Sequence, residues 1–262
     1  MKVGLIGAGK LGGSLLARLS ESDEFDIGLS DVHQEQLDFY SEKYGLRTTS
    51  SNRELVADSD LVIIAVKPWN VAQVLDEISP EIQGTDKAVA SVAAGVTIDT
   101  ISGRLPEGTR VLRVMPNVCA SVGLGSAVVT ANEAGQDMLP ALLEIFRYVG
   151  EAVELPESLF DAATALHGSG PAYVALFTDA LVQAGVREGI PRDIARKLVT
   201  GTLQGTAVML KDRSPHQVRD EVMTPGGTTA AAFVAMERSG FVGAVYDGVH
   251  SATEQAREMG KS

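Results

Sequence analysis

The chain has 262 residues, of which 45% are hydrophobic, and a net charge of −12 at neutral pH. This length can hold two compact domains with their own cores, and the composition is typical of a globular protein and not of a disordered one. The negative charge disfavours nonspecific binding to nucleic acids or anionic membranes. The chain shows no signal-peptide pattern, no apolar run of the ~20 residues that span a membrane, and one cysteine, Cys119, so an intrachain disulfide is excluded. We therefore expect a cytoplasmic protein that binds neither nucleic acid nor membrane.

The first part of the chain alternates between short apolar strands and helices. Strands are predicted at Lys2–Ile6, Phe25–Ser30, Leu61–Val66, Ala88–Ala93, Val111–Val114, Ser126–Thr130 and Ala152–Leu155. Helices are predicted at Gly12–Ser20, Gln34–Tyr44, Ser51–Val56, Asn70–Ile78, Ile98–Leu105 and Glu133–Val149. This alternation predicts an α/β fold with a parallel, doubly wound sheet, and strands as apolar as residues 61–65 suit burial on both faces.

After Pro156 the pattern changes to helices alone. These are predicted at Glu157–Leu166, Pro171–Glu188, Arg192–Leu210, Pro215–Val222, Thr228–Arg238 and Val242–Met259. The change predicts a dinucleotide-binding domain over residues 1–156 and an all-helical domain over residues 157–262. Several of these helices are apolar around much of their circumference, and about a hundred residues cannot bury so many faces alone. We therefore expect a homo-oligomeric interface in the helical domain.

A glycine-rich turn follows the first predicted strand and opens the first helix. It consists of Gly7, Ala8, Gly9, Lys10, Leu11 and Gly12. In this G-x-G-x-x-G pattern Gly7 permits a tight turn, Gly9 lets the backbone approach a pyrophosphate, and Gly12 lets helix and strand pack closely. The strand–turn–helix context therefore predicts a dinucleotide site.

Ser30 and Asp31 end the second predicted strand, where a dinucleotide fold places an acid for the ribose 2′-OH. A carboxylate there would repel a 2′-phosphate, and no lysine or arginine lies between Arg18 and Lys43 to neutralise one. We therefore expect NAD(P)H as the cofactor, with NADH preferred. Two alternatives stay open. Asp31 could instead cap the following helix, or a shifted strand end could bring Ser30 and His33 into the pocket.

Other candidate residues also lie at strand ends, because ligands bind at the carboxyl edge of a parallel sheet. One group of cofactor-binding candidates follows the strand from Leu61 and consists of Ala65, Val66, Lys67 and Pro68. Asn117 ends the strand from Val111 and could cap a turn or contact the nicotinamide amide. His167 stands in a glycine-rich turn and is more typical of a surface turn than of a substrate contact. The histidines and the cysteine lack metal-ligand spacing, so no metal site is expected.

A Pro-Gly-Gly turn with neighbouring hydroxyl groups precedes an alanine-rich helix. The segment consists of Thr224, Pro225, Gly226, Gly227, Thr228 and Thr229. Such a turn directs backbone N–H groups from a helix N-terminus towards one point, which suits an anion. The segment could therefore hold the carboxylate of a small molecule and leave a hydroxyl for its reactive atom. A simple helix start with threonine caps is the alternative.

Together these motifs resemble those of the pyrroline-5-carboxylate reductase family over essentially the whole chain. The matching segments are 7–12, 65–68, 113–117, 168–173 and 225–229, and the last two are specific to that family. The resemblance implies a Rossmann domain followed by a helical dimerisation domain, with dimers that often build larger rings. It also implies reduction of 1-pyrroline-5-carboxylate to L-proline with NAD(P)H, at a site between the domains to which the dimer partner contributes helices.

The resemblance also assigns roles to individual residues. It implies that the Thr229 hydroxyl orients the ring nitrogen, while Thr224, Gly226, Gly227 and Thr228 hold the substrate carboxylate. A protonated C=N bond is already electrophilic, so an oriented neutral donor is sufficient and no strong acid is needed.

Alternative functions are a reductase of another cyclic imino acid, a β-hydroxyacid dehydrogenase or a non-catalytic dinucleotide-binding regulatory protein. The dehydrogenase would need a lysine early in the second domain, and none lies between Pro156 and Ala195. The retained hydroxyls of Thr224 and Thr229 favour catalysis over regulation alone. The chain departs from the family pattern at residues 118–119, at His167 and at Met223.

Overall fold

The computed structural model describes residues 1–260, so the last two residues of the predicted 157–262 domain lie outside the described part. The chain divides into two compact units. The first contains Met1–Ser169 and the described residues from Ala252 on, and the second contains Gly170–Ser251. The predicted boundary between residues 156 and 157 stays a prediction. No helix within residues 1–260 is long and apolar enough to cross a membrane.

The first unit is built on one eight-stranded sheet, in the order β3-β2-β1-β4-β5-β6-β7-β8. The strands are β1 Lys2–Ile6, β2 Asp26–Ser30, β3 Arg47–Thr49, β4 Leu61–Ile64, β5 Ala88–Ser91, β6 Arg110–Pro116, β7 Gly125–Ala131 and β8 Gly150–Glu154. All neighbours are parallel except β6 and β7. The predicted α/β fold with a doubly wound sheet is confirmed, and the sheet is mixed because the short link between β6 and β7 leaves no room for a crossover helix.

Helices cover both faces of this sheet. They are α1 Lys10–Leu19, α2 Gln34–Tyr44, α3 Asn52–Ala57, α4 Pro68–Ile82, α5 Ile98–Ser102, α6 Leu139–Arg147 and α7 Phe160–Ala163. Short 3-10 helices span Val118–Val122, Glu133–Met138 and Glu157–Leu159, and a π-helical turn spans Thr164–Gly168. Alternate residues of β4 enter different cores. Leu61 and Ile63 pack on one face, and Val62 and Ile64 on the other. Both faces are therefore buried, as the apolar strand predicts.

The second unit contains helices only, as predicted. They are α8 Gly170–Arg187, α9 Arg192–Met209, α10 Pro215–Val222, α11 Thr228–Arg238 and α12 Phe241–Met259, whose last turns belong to the first unit. Helix α10 begins with a capping box in which Ser214 and Gln217 satisfy each other's backbone N–H groups. Helices α8 and α9 pack closely where Gly185 meets Ala195.

The second unit has almost no core of its own. The buried apolar side chains among residues 170–251 are Val182, Ala195 and Val218. Large apolar side chains on its helices are instead exposed, and examples are Val174, Leu176, Leu198, Val208 and Tyr246. Apolar surface of this extent on one unit is typical of a subunit interface.

Candidate active site

A cleft of about 880 Å³ lies along the carboxyl edge of the sheet in the first unit. It is lined by the ends of β2, β1, β4 and β5 and by the starts of α1 and α4. The predicted cofactor residues that line it are Gly7, Ala8, Gly9, Lys10, Leu11, Ser30, Asp31, Ala65, Val66, Lys67 and Pro68. Gly12 and Asn117 are not among the lining residues. The structure thus brings eleven of the thirteen predicted cofactor residues to one cleft.

The glycine-rich turn has the geometry that a bound pyrophosphate needs. Gly7 has a φ of +101°, and a Cβ atom on Gly12 would overlap the Gly7 carbonyl oxygen. A Cβ atom on Gly9 would meet no protein atom within 4 Å. Helix α1 begins at Lys10, directly after Gly9, without a side-chain cap and without an acidic residue in its first turn. Its free N–H groups therefore remain available to a phosphate.

Asp31 follows β2 directly, so the predicted strand end is correct. Its Oδ2 atom accepts a hydrogen bond from the Ala8 N–H at 2.7 Å, and its Oδ1 atom accepts one from the His33 N–H at 2.8 Å. The His33 Nδ1 atom also lies 2.8 Å from Oδ1. Burial alone would raise the pKa of Asp31, but the hydrogen bonds from Ala8 and His33 outweigh it and hold the pKa below its ordinary value. Asp31 is therefore ionised at neutral pH, at the cleft wall.

A polar chain that the sequence pattern did not predict continues from the same strand end. The buried Ser30 Oγ atom donates to Asn52 Oδ1 at 2.8 Å, and Asn52 Nδ2 donates to Glu77 Oε2 at 2.9 Å. All three residues line the cleft, together with Glu35 beside Asp31. This end of the cleft is therefore rich in carboxylates.

The segment between β4 and α4 lines the cleft. The Ala65 N–H donates to the Ile6 carbonyl at 2.8 Å, which keeps this turn in register with β1 beyond the strand itself. Lys67 precedes α4, and Pro68 occupies the first helical turn, where its missing N–H costs nothing. Lys67 and Lys10 are the lysines among the lining residues.

Asn117 uses its side chain within the protein. Its Oδ1 atom accepts from the Cys119 and Ser126 N–H groups, both at 3.1 Å, and its Nδ2 atom donates to the His167 carbonyl at 3.1 Å. The residue thus caps the 3-10 helix at Val118–Val122. Its predicted contact with the nicotinamide stays a prediction.

His167 lies in the π-helical turn, where the residue is partly exposed but both of its ring nitrogens are buried. Among residues 1–260 the Ser126 backbone is close enough to act on the ring, although neither nitrogen makes a hydrogen bond of good geometry. Burial lowers the pKa of His167, and the nearby Ser126 carbonyl, which already accepts from the Asn117 N–H, opposes this only in part. The imidazole is therefore neutral at pH 7.

The predicted anion-binding turn lies in the second unit between α10 and α11. The Gly227 N–H donates to the Thr224 carbonyl at 3.0 Å, Pro225 occupies the second position, and Gly226 has a φ of +69°, which together define a type II turn. A Cβ atom on Gly227 would overlap the Thr224 Oγ1 atom, so the position suits glycine.

Helix α11 begins after Gly227 without a side-chain cap and without an acidic residue in its first turn. The alternative of a threonine-capped start is therefore not the geometry observed. Thr228 and Thr229 are the first two helical residues, with Thr228 exposed and Thr229 partly buried. Free N–H groups and three hydroxyl groups thus surround one helix N-terminus, an arrangement that can bind a carboxylate.

Comparisons with known proteins agree with both halves of this geometry. Residues 157–259 match the family model described as pyrroline-5-carboxylate reductase dimerisation, and residues 2–95 match the model described as NADP oxidoreductase, coenzyme F420-dependent. The chain is 39% identical to the pyrroline-5-carboxylate reductase of Methanosarcina acetivorans over 99% of this chain and 98% of that protein. It is 37% identical to the pyrroline-5-carboxylate reductase of Synechocystis over 100% of this chain and 99% of that protein.

Solved structures give the same result. The pyrroline-5-carboxylate reductase of Coxiella burnetii matches with a TM-score of 0.94 at 32% identity, covering 98% of this chain and 97% of that one. The pyrroline carboxylate reductase of Plasmodium falciparum, with NADP bound, matches with a TM-score of 0.83 at 29% identity, covering 99% and 98%.

Proposed function

The chain belongs to the pyrroline-5-carboxylate reductase family, and from that premise we propose that it reduces 1-pyrroline-5-carboxylate to L-proline with NAD(P)H, as a step of proline biosynthesis. The observation that carries this proposal is the uncapped start of α11 after the Thr224–Gly227 turn, which offers N–H and hydroxyl donors to a small carboxylate. A cyclic imino acid carries such a carboxylate beside its C=N bond.

The fit to a dinucleotide rests on the cleft in the first unit. The space beside Gly9 admits a pyrophosphate, and the free N–H groups of α1 would hold it. The ionised Asp31 would accept hydrogen bonds from the ribose hydroxyls. When bound, the nicotinamide supplies the hydride that adds to the carbon of the C=N bond, while the electron pair of that bond moves to the protonated nitrogen and leaves a secondary amine.

We assign the substrate roles to the turn before α11 and to the first residues of that helix. The Thr224 hydroxyl and the N–H groups near Gly226, Gly227 and Thr228 hold the carboxylate. The Thr229 hydroxyl contacts the ring nitrogen and orients it. These groups are neutral donors that remain in place throughout the reaction, so they stabilise the reacting geometry without a proton transfer of their own.

Within NAD(P)H, we propose a preference for NADH. Asp31, Glu35 and Glu77 line the adenosine end of the cleft, and a 2′-phosphate there would meet like charge. The relative from Plasmodium falciparum has NADP bound, so this preference would distinguish the present chain within its family.

We also propose that the chain acts as a cytoplasmic homodimer, with assembly into a larger ring as a further step. Support for the dimer comes from the dimerisation model over residues 157–259 and from the exposed apolar side chains of α8 and α9. On the same grounds we propose residues 1–156 as the dinucleotide-binding domain and residues 157–262 as the substrate-binding and dimerisation domain.

The direct test is spectrophotometric oxidation of NADH and of NADPH with 1-pyrroline-5-carboxylate, with proline identified as the product. A six-membered cyclic imino acid with the same carboxylate serves as the comparison substrate. Turnover of 1-pyrroline-5-carboxylate above the six-membered analogue supports the proposal. Faster turnover of the analogue would identify a reductase of another imino acid, and nucleotide binding without turnover of either would identify a regulatory protein.

A further inference from the structure

His33 lies at the adenosine end of the cleft, directly beside the carboxylate of Asp31. It lines the cleft, and its side chain is 75% exposed. The His33 Nδ1 atom lies 2.8 Å from the Asp31 Oδ1 atom, and the His33 N–H donates to the same oxygen at 2.8 Å. The backbone contact fixes the position of the residue, and the side-chain contact fixes the orientation of its ring.

The contact with Asp31 selects one tautomer of the neutral His33 ring. The hydrogen bonds from Ala8 and His33 hold the pKa of Asp31 below its ordinary value, so the carboxylate is ionised and can only accept. The Nδ1 atom therefore carries the proton, and Nε2 presents a lone pair. When the ring takes up a second proton, Nε2 becomes an N–H donor and the ring becomes positively charged. The Asp31–His33 pair then changes from negative to neutral.

This change acts on the group that distinguishes the two nicotinamide cofactors. A ribose 2′-OH can donate to Asp31 or to the unprotonated Nε2 atom, whereas an ionised 2′-phosphate offers acceptors and negative charge. With a neutral ring the cleft wall repels the phosphate, and with a protonated ring the Nε2–H group attracts it. Histidine is the side chain that ordinarily changes its charge between about pH 5 and 8.

The other charged groups that line the cleft come from the helices around it. They are Lys10 on α1, Lys67 before α4, Glu35 on α2 and Glu77 on α4. Tyr40 on α2 stays neutral in this pH range, because burial, and after it the charges of Tyr44 and Asp31, raise its pKa. A variant that changes only His33 keeps all of these groups, so a comparison with the wild type isolates the imidazole.

We propose that His33 is a further specificity-determining residue, whose neutral imidazole disfavours a 2′-phosphate and whose protonated form accepts one. This inference rests on the proposed function only in placing the ribose of a nicotinamide dinucleotide at Asp31. The preference for NADH over NADPH is then largest above neutral pH and decreases in acid.

The test uses two nucleotides that differ only in the 2′-phosphate, ADP-ribose and 2′-phospho-ADP-ribose, and it needs no substrate. Calorimetry gives their Kd for the wild type and for His33→Gln at about pH 8 and about pH 5.5. The 2′-phosphate itself loses charge near about pH 6, so its binding improves somewhat in both proteins. We expect the affinity for 2′-phospho-ADP-ribose relative to ADP-ribose to rise about three- to tenfold more in the wild type than in His33→Gln.

A second variant, His33→Arg, carries a permanent positive charge. At about pH 8 it should bind 2′-phospho-ADP-ribose about three- to tenfold more tightly than the wild type does, with little change for ADP-ribose. Both variants should fold, because the His33 side chain is exposed and makes no cap hydrogen bond at the start of α2. The backbone N–H that donates to Asp31 also remains in both.

An equal pH dependence in the wild type and His33→Gln would overturn the proposal. An unchanged affinity of His33→Arg for 2′-phospho-ADP-ribose at about pH 8 would also overturn it. If the wild type shows the rise that depends on His33 but does not reduce 1-pyrroline-5-carboxylate, this inference stands and the proposed reaction fails.

Discussion

Asp31 and Ala8 are joined by a hydrogen bond of 2.7 Å from the Ala8 N–H to the Asp31 Oδ2 atom. The bond connects the acid at the end of β2 to the glycine-rich turn at the end of β1. One side chain thus does two things: it fixes the turn that would hold the pyrophosphate, and it places a negative charge at the ribose end of the cleft. The two effects can be separated in Asp31→Asn, because the amide oxygen can keep the bond from Ala8 without the charge, at the cost of the bond from the His33 N–H, which the amide NH2 group cannot accept.

Asp31→Asn should therefore reduce the preference for NADH without disrupting the turn. We expect the ratio of kcat/KM for NADH to that for NADPH to fall by about tenfold, which corresponds to ~1.4 kcal/mol of differential binding. Steady-state kinetics with both cofactors measures the ratio. Gln36→Ala removes a neutral side chain from the same wall and is the control, with little change expected. A wild type that prefers NADPH, or an unmoved ratio in Asp31→Asn, would remove Asp31 from cofactor selection.

Substitutions of Gly9 and Gly12 should separate an effect on nucleotide binding from an effect on stability. A methyl group at Gly9 meets no protein atom within 4 Å, so Gly9→Ala should fold normally and weaken NADH binding by at least about tenfold. A methyl group at Gly12 overlaps the Gly7 carbonyl, so Gly12→Ala should lose about 1–3 kcal/mol of unfolding free energy. Urea denaturation and calorimetry on both variants check this. Normal NADH affinity in Gly9→Ala would place the pyrophosphate elsewhere.

The cofactor cleft could be predicted from sequence because its residues stand at the ends of apolar strands. The apolar run Leu61–Ile64 and the glycine turn after Ile6 show where two of these strands end. The second strand ends at Ser30, as predicted. Strand β3 escaped prediction because Arg47–Thr49 is short, polar and at the sheet edge. The contact of Asn52 with Glu77 joins α3 to α4 across 25 residues of sequence, and no local pattern reports such a pair.

The burial of the ring nitrogens of His167 could not be predicted from its neighbours. Glycines and a serine follow it, and this composition is typical of a surface turn. Its environment comes instead from Asn117 and Ser126, which are distant in sequence and reach it only through the pairing of β6 with β7. The turn at Thr224–Gly227, in contrast, is encoded locally by Pro225 and Gly226, so its geometry follows from the sequence alone.

An ion pair in the first unit should contribute more to stability than a surface pair of similar geometry. Arg113 is 6% exposed, and its Nη1 atom lies 2.8 Å from the Glu157 Oε1 atom, which also accepts from the Ile98 N–H at 2.8 Å. Glu157→Ala leaves the buried guanidinium unpaired and should cost about 2–4 kcal/mol of unfolding free energy in urea denaturation.

The matched control for Glu157 is Glu81, which pairs with Arg53. The two glutamates are 30% and 29% exposed, but Arg53 is 55% exposed, so the pairs differ in the burial of the arginine and in the hydrogen bond that the Ile98 N–H gives to Glu157. Glu81→Ala should cost less than about 1 kcal/mol. Equal losses in the two variants would show that burial of Arg113 adds nothing to its pair.

The dimer should depend on the apolar surface of the second unit. Leu176 on α8 is 73% exposed, and a carboxylate there would be buried without a partner in a dimer built on this surface. Leu176→Asp should weaken association by about a hundredfold or more, measured by light scattering over a dilution series. Leu124→Asp in the first unit is the control, since Leu124 is 75% exposed, and it should remain dimeric. A wild-type monomer at micromolar concentration would contradict the proposed assembly.

Thr229 is the second residue of α11 and the proposed partner of the ring nitrogen. Thr229→Ala removes one oriented donor and should lower kcat by about ten- to a thousandfold, while the Kd of NADH changes little because Thr229 does not line the nucleotide cleft. Thr202→Ala is the matched control, since the Thr202 hydroxyl only donates to the Leu198 carbonyl of its own helix. Thr229→Ser should retain most of the activity because it keeps the hydroxyl. A folded Thr229→Ala enzyme with wild-type kcat would remove this hydroxyl from the mechanism and leave nitrogen orientation to the backbone.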